Sequence, residues 1–173
     1  MTMPVLSTTL ATKWVLQVDT SLAQDGSIWT PARGMTDFQP GVDQQTQDDS
    51  DYDAGVWGSD VATQLKWKLT CKFDRKVATG YAEDPGQLAL RAAAVNTGNS
   101  SIVSVRWFDR NGGQEAYQGL AVVTWSDDGG NTSAKSSVSV AVSGRGPRNT
   151  ISNPAAISGL GYGSGLYGSG IYG

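Results

Sequence analysis

The sequence predicts a mainly β chain: an antiparallel sheet of the sandwich or barrel-forming kind, with one short α-helix on its flank. Three observations carry that reading. Ser101–Val142 reads as three strands broken by two turn clusters, Asp109–Gly113 and Asp127–Asn131, rich in residues that tolerate turns and positive φ. Val61–Phe73 alternates strictly, with Leu65, Trp67, Leu69, Cys71 and Phe73 on one face and Gln64, Lys66, Lys68, Thr70 and Lys72 on the other. One helix signature stands out, at Asp84-Pro85-Gly86-Gln87. A meander of three strands cannot cover its own apolar face, so the other elements must pack on it.

Taken in order, Thr12–Asp19 is rich in β-formers and reads as a strand, with Trp14 and Leu16 offset from Lys13 and Val15. Gly26–Thr30 is a second short strand, closed by Pro31, and Arg33–Phe38 a third, ending before Pro40-Gly41. From Asp37 to Asp60 the composition shifts: seven Asp residues occur, and no Lys or Arg lies between Arg33 and Lys66. Residues 41–60 are therefore expected to form a long acidic loop, of the length that in compact domains is either functional or disordered. Tyr52, Val56 and Trp57 are apolar anchors that a purely solvating loop does not need. In the helix, Asp84 is the expected N-cap, Pro85 takes the first helical position and Gln87 completes a capping box. Leu88, Ala92 and Val95 recur at i, i+4 and i+7, and Gly98 is the stop signal. The expected organisation is a β domain over residues 1–150, followed by a Gly/Tyr/Ser-rich extension over 151–173. That extension repeats with period five from Tyr162 and holds too much glycine to build a core.

Composition removes several functions. Thirteen basic and sixteen acidic side chains leave a net charge of −3, against a sequence-independent nucleic-acid binder, which needs clustered cations. The chain has no histidine, which excludes Ser-His-Asp and Cys-His catalysis and any His-ligated metal. No other catalytic constellation emerges, so no enzyme and no cofactor are expected. The single cysteine, Cys71, rules out an internal disulfide and fits assembly in a reducing cytoplasm. No apolar run is long enough to span a membrane, and the N-terminal residues lack the pattern of a signal peptide.

Few residues then remain as candidates for binding. Asp49, Asp51, Asp53 and Asp60 fall at positions 1, 3, 5 and 12 of a calcium loop, but Ala54 stands where such a loop needs glycine and Asp60 where it needs a bidentate Glu. An acidic surface facing solvent or a partner accounts for them more simply. Six tryptophans, Trp14, Trp29, Trp57, Trp67, Trp107 and Trp125, would suit the sugar-binding platform of a carbohydrate-binding β-sandwich module. Five of them sit in or beside expected strands, where packing is the ordinary explanation. The Lys66, Lys68 and Lys72 face is either solvated or paired with acids of a neighbouring copy.

The order and spacing of several motifs resemble the major tail tube protein of long-tailed, siphovirus-type bacteriophages. These are Trp29–Gly34 followed by Asp37-Phe38, Gln47–Asp53 with Gly55 and Trp57, Asp84–Gln87, Arg106–Asp109, Glu115–Gly119 and Ser143–Gly146. Together they span about Thr12 to Arg148. The resemblance implies a structural virion protein whose hexameric rings stack into the tail tube, around a tape-measure protein and below a tail terminator, with DNA later passing through unbound. It implies assembly in the host cytoplasm and a final place in the virion tail. It also implies that the acidic segment carries the contacts between subunits and rings, through Asp43, Asp48, Asp49, Asp51, Tyr52, Asp53, Val56 and Trp57. The polar face of Gln64, Lys66, Lys68, Thr70 and Lys72 would line the lumen or form ion pairs. Three negative charges per chain come to about eighteen per six-membered ring, a wall that does not retain phosphates.

Overall fold

The computed structural model describes residues 11–53, 56–75 and 83–156; the period-five tail lies outside them. Eight strands and one α-helix follow in chain order: β1 (Trp14–Asp19), β2 (Trp29–Pro31), β3 (Met35–Asp48), β4 (Asp60–Asp74), α1 (Pro85–Ala94), β5 (Ile102–Asp109), β6 (Ala116–Asp128), β7 (Ser137–Gly144) and β8 (Asn149–Thr150). All pairings are antiparallel. They join the strands into one sheet in the order β2-β1-β5-β6-β7-β4-β3, with β8 added on β6.

The sheet rolls on itself. Trp14 of β1 meets Phe38 of β3 with ring centroids 5.5 Å apart, although those strands stand near opposite ends of the hydrogen-bonded order. Trp67 of β4 likewise reaches Trp107 of β5 at 5.0 Å across two intervening strands. One core results. It takes Leu16 and Val18 from β1, Leu69, Cys71 and Phe73 from β4, Val103, Val105 and Trp107 from β5, Val138, Val140 and Val142 from β7, and Leu90 and Ala93 from α1. Each strand supplies every second residue, as the pleat requires.

Two glycines make the tightest packing possible. The Trp67 indole lies across Gly119 and Gly144, where an added Cβ would sit 2.6 Å and 2.3 Å from its ring. Its Nε1 donates to the Gly146 carbonyl at 3.1 Å.

Four expectations need correction. First, β3 does not stop at Pro40: it continues to Asp48, opposite β4. It is an edge strand, so a residue without an N–H can stand in it with the missing donor facing outward. Second, the acidic loop is accordingly shorter than residues 41–60, since both ends of that span belong to strands. Third, Asp84 does cap α1 and accepts from the Gln87 N–H, but Gln87 does not reach back to close a capping box. Its side-chain amide instead donates to the carbonyls of Arg33 and Asp74, tying the helix to the β2–β3 link and the end of β4. Fourth, the buried stripe of α1 is Gly86, Gln87, Leu90 and Ala93, whereas Leu88 and Val95 are exposed. Gly86 forces that rotation. Its α-carbon is so close to β2 that a Cβ there would be 2.4 Å from the Pro31 carbonyl oxygen; with the Gly86 side turned inward, Leu88, two positions on, points to the opposite side of the helix.

The residues just past 150 remain on the domain. Ile151 donates its N–H to Ala116, and the Asn153 amide donates to the carbonyls of Asp109 and Gly113, fastening the β5–β6 turn.

Candidate functional site

β3 and β4 outrun the core. Up to Trp67 the hairpin is packed, but beyond it the ladder continues from Asp43 opposite Lys66 to Asp48 opposite Asp60, with a register shift after Gln45. Residues 43–48 and 60–66 are exposed on both faces. At ~3.4 Å per residue this two-stranded arm projects by roughly 20 Å. Such a ribbon is marginal in water without something against it. Its inner face carries Leu65, continuing the row that is buried from Trp67 onward, whereas Val61, opposite Gln47 beyond the register shift, takes the other face. Leu65, expected on the dry face, is therefore 63% exposed.

The tip, described over residues 49–53 and 56–59, is held by its own polar groups. The Asp49 N–H donates to the Ser59 carbonyl, the Ser59 N–H to the Ser50 hydroxyl, and the Ser50 N–H to Asp48. Those Ser50 hydrogen bonds, side chain first and backbone second, hold the Asp48 carboxyl below its ordinary pKa. Tyr52 and Trp57 stand out from the tip at 107% and 81% exposure, and Val56 is exposed beside them. Asp48 opposite Asp60 sets like charges across the ladder, which weakens the arm by itself. Asp49, Asp51, Asp53 and Asp60 share this end of the arm, but among the described residues no three His, Cys, Asp or Glu side chains gather as a metal site.

The outer face of β4 is balanced from within the chain. Lys68 pairs with Asp43 at 2.9 Å and Lys72 with Asp128 at 3.1 Å. The Ser139 hydroxyl, then Lys72 and Ser137, hold the Asp128 carboxyl below its ordinary value. Asp37, in register with Lys72, and Lys66, in register with Asp43, complete a face with three cations and three carboxylates. Gln39, Gln45, Gln64, Thr70, Ser126, Ser139 and Ser143 fill the space between. Asp127 and Asp128 belong to β6 and not to the turn after it, which is how Asp128 comes to reach Lys72.

The aromatic side chains do not form a platform. Trp14, Trp67 and Trp107 are buried, and Trp29 is covered by the Arg106 guanidinium 4.4 Å from its ring. Cys71 is buried on the dry face and its thiol is pushed up to about 12 by burial, then by Asp37, so it is no nucleophile.

A feature the strand pattern does not announce lies at the foot of the arm. A groove of about 670 Å³ runs between β4 and the turn after β7, lined by Val42, Leu65, Trp67, Gly144, Pro147 and Arg148 among others. Its only trace in the sequence is the glycine spacing around Arg145.

No family model matches the chain, and no curated protein matches it significantly. Solved structures do. The tail of an empty GTA particle, refined with C6 symmetry, superposes with a TM-score of 0.65 at 14% identity, over 83% of this chain and 99% of that one. The chain has the tail-tube fold. A chain in the virion of the native gene transfer agent particle gives 0.63 at 11% identity, over 83% of this chain and 99% of that one. The SPP1 tail tube gives 0.62 at 13%, over 82% of this chain and 79% of that one. In this chain that fold is a rolled antiparallel sheet with one flanking helix, mainly β as the resemblance implied.

Proposed function

We propose that this protein is a structural, non-enzymatic subunit that assembles with copies of itself into stacked six-membered rings, forming the tube of a virion tail. The observation that carries the reading is the arm: two strands exposed on both faces, with two aromatic residues at the tip, have nothing among the described residues to pack on. The tail-tube fold supports the same reading, since the similar chains come from a C6 tail, a virion and a tail tube. In this reading the arm makes the contacts between subunits and rings through Asp43, Asp48, Asp49, Asp51, Tyr52, Asp53, Val56 and Trp57. The balanced polar face of β4 and β7 lines the lumen, where DNA passes without specific binding. A tape-measure protein inside and a terminator at the end would be the remaining partners, with assembly in the host cytoplasm.

The test follows from the ladder. Excising residues 44–65 and joining Asp43 to Lys66 through Asn-Gly removes the arm at a matched register, with a turn that suits a two-residue hairpin. The expected product is a folded monomer with native β-sheet circular dichroism that forms no tubes by negative-stain microscopy, where the intact chain does. Tubes from the excised chain would sink the assignment.

A further inference from the structure

Resting on the assembly reading, we propose that the groove at the foot of the arm is the receptor for the arm tip of another copy: Trp57 and Tyr52 enter beside Leu65 and Pro147, and the tip carboxylates meet Arg145 and Arg148.

Charge selects this occupant. Five carboxylates at the end of the arm, Asp48, Asp49, Asp51, Asp53 and Asp60, make no ion pair among the described residues. Arg145 and Arg148, both exposed in the turn that forms the groove wall, make none either. Six other described cations are matched within the chain, Lys13 by Glu115, Lys68 by Asp43, Lys72 by Asp128, Arg75 and Arg91 by Glu83, and Lys135 by Asp74, while Lys66, which makes no ion pair among the described residues, adds a third positive charge to the groove. The unmatched acids therefore sit at the tip of the hairpin, and Arg145 and Arg148 in the turn after β7, beside its foot. Arg148 is also held in place, its guanidinium 4.1 Å from the Tyr117 ring, so little side-chain freedom is lost when a carboxylate arrives.

Shape agrees with charge. The floor of the groove is the Trp67 indole, and Val42 and Leu65 leave apolar surface open along its side. The tip offers Tyr52, Val56 and Trp57, which need such a surface. A chain cannot fill its own groove, because the paired ladder holds the tip at a distance of roughly five residues of extended strand, ~17 Å, from Leu65. The contact is consequently heterologous, tip to foot, and each copy both gives and receives. Contacts of that kind propagate until a symmetry closes them or a filament grows.

The experiment exchanges the charges. Arg145→Glu with Arg148→Glu, and separately Asp49→Lys with Asp51→Lys, are each expected to raise the concentration needed for assembly by roughly tenfold or more. All four changes in one chain are expected to restore it to near the wild-type value. A second readout does not depend on tube stability: chains with Leu65→Cys, mixed with chains with Trp57→Cys, are expected to give a disulfide-linked heterodimer on mild oxidation. Buried Cys71 does not compete. If groove variants assemble like the wild type, if the fourfold exchange fails to recover assembly, or if assembled tubes give no cross-link, the receptor is elsewhere. A wild-type chain that stays monomeric throughout would instead overturn the assembly reading on which this one stands.

Discussion

Gly144 decides how the core closes, yet nothing in the sequence marks it apart from twenty-one other glycines. Its φ is not in the left-handed region, so turn chemistry does not demand glycine there. The demand comes from Trp67, whose ring would be 2.3 Å from any Cβ. Gly144→Ala should therefore cost ~1–3 kcal/mol by chemical denaturation, through displacement of the indole from Gly146. A change within error would show that Trp67 has room to move. Asp19 is a second residue whose role appears only in three dimensions. It is 1% exposed; burial acts to raise its pKa, but N–H groups of Ser21 and Gly26, at 2.9 Å and 2.6 Å, outweigh that and leave it lowered. Since the folded pKa lies below the unfolded one, this stabilisation is present at neutral pH and is lost as pH falls through the folded value. Asp19→Asn should cost about 1–3 kcal/mol at pH 7, because its amide turns a donor toward donors. The difference from wild type should shrink below pH ~4, as melting temperatures against pH would show. An undiminished gap at pH 3 would refute the linkage.

At the scale of elements the strands were legible because β-branched and aromatic residues alternate with small polar ones. α1 was legible because Asp84 and Pro85 form an unambiguous start. What misled was context. Leu88 and Val95 have helical spacing, but Gly86 presses α1 onto β2 and turns both outward. Pro40 and the Asp and Gln residues after it suggest a loop, yet an edge strand needs hydrogen bonds on one side only, and β4 supplies them. Leu65 continues a perfect alternation, but alternation says which face a residue takes and not whether anything covers that face. The arm is thus a regular element with little to stabilise it alone. In the free chain, amides of residues 43–48 and 60–66 should exchange with solvent far faster than those of β5 and β6. In assembled tubes they should be protected to a similar degree as the core. Equal protection in both states, followed by mass spectrometry, would mean the arm needs no neighbour.

The whole molecule separates its charge: acids collect at the arm tip, and the sheet face behind the arm is neutral in sum. Sequence alone shows three lysines on that face and leaves them unopposed, because their partners come from β3 and from the far end of β6. Pairing across strands distant in sequence is invisible until the sheet order is known. For a conduit the consequence is physical. A polyanion sliding along lysines would release their counterions and be retained, with an affinity that falls steeply as salt rises. With each lysine beside a carboxylate the wall offers no such gain. Asp43→Asn with Asp128→Asn removes the ion-pair partners of Lys68 and Lys72 and leaves three lysines against Asp37 alone, while conserving side-chain size and polarity. Tubes of this variant should retain labelled double-stranded DNA at low salt and release it as salt is raised, whereas wild-type tubes should pass it at every salt concentration. If the variant tubes hold no more DNA than the wild type, the paired face of β4 does not look into the lumen, and the opposite orientation of the sheet in the tube wall follows.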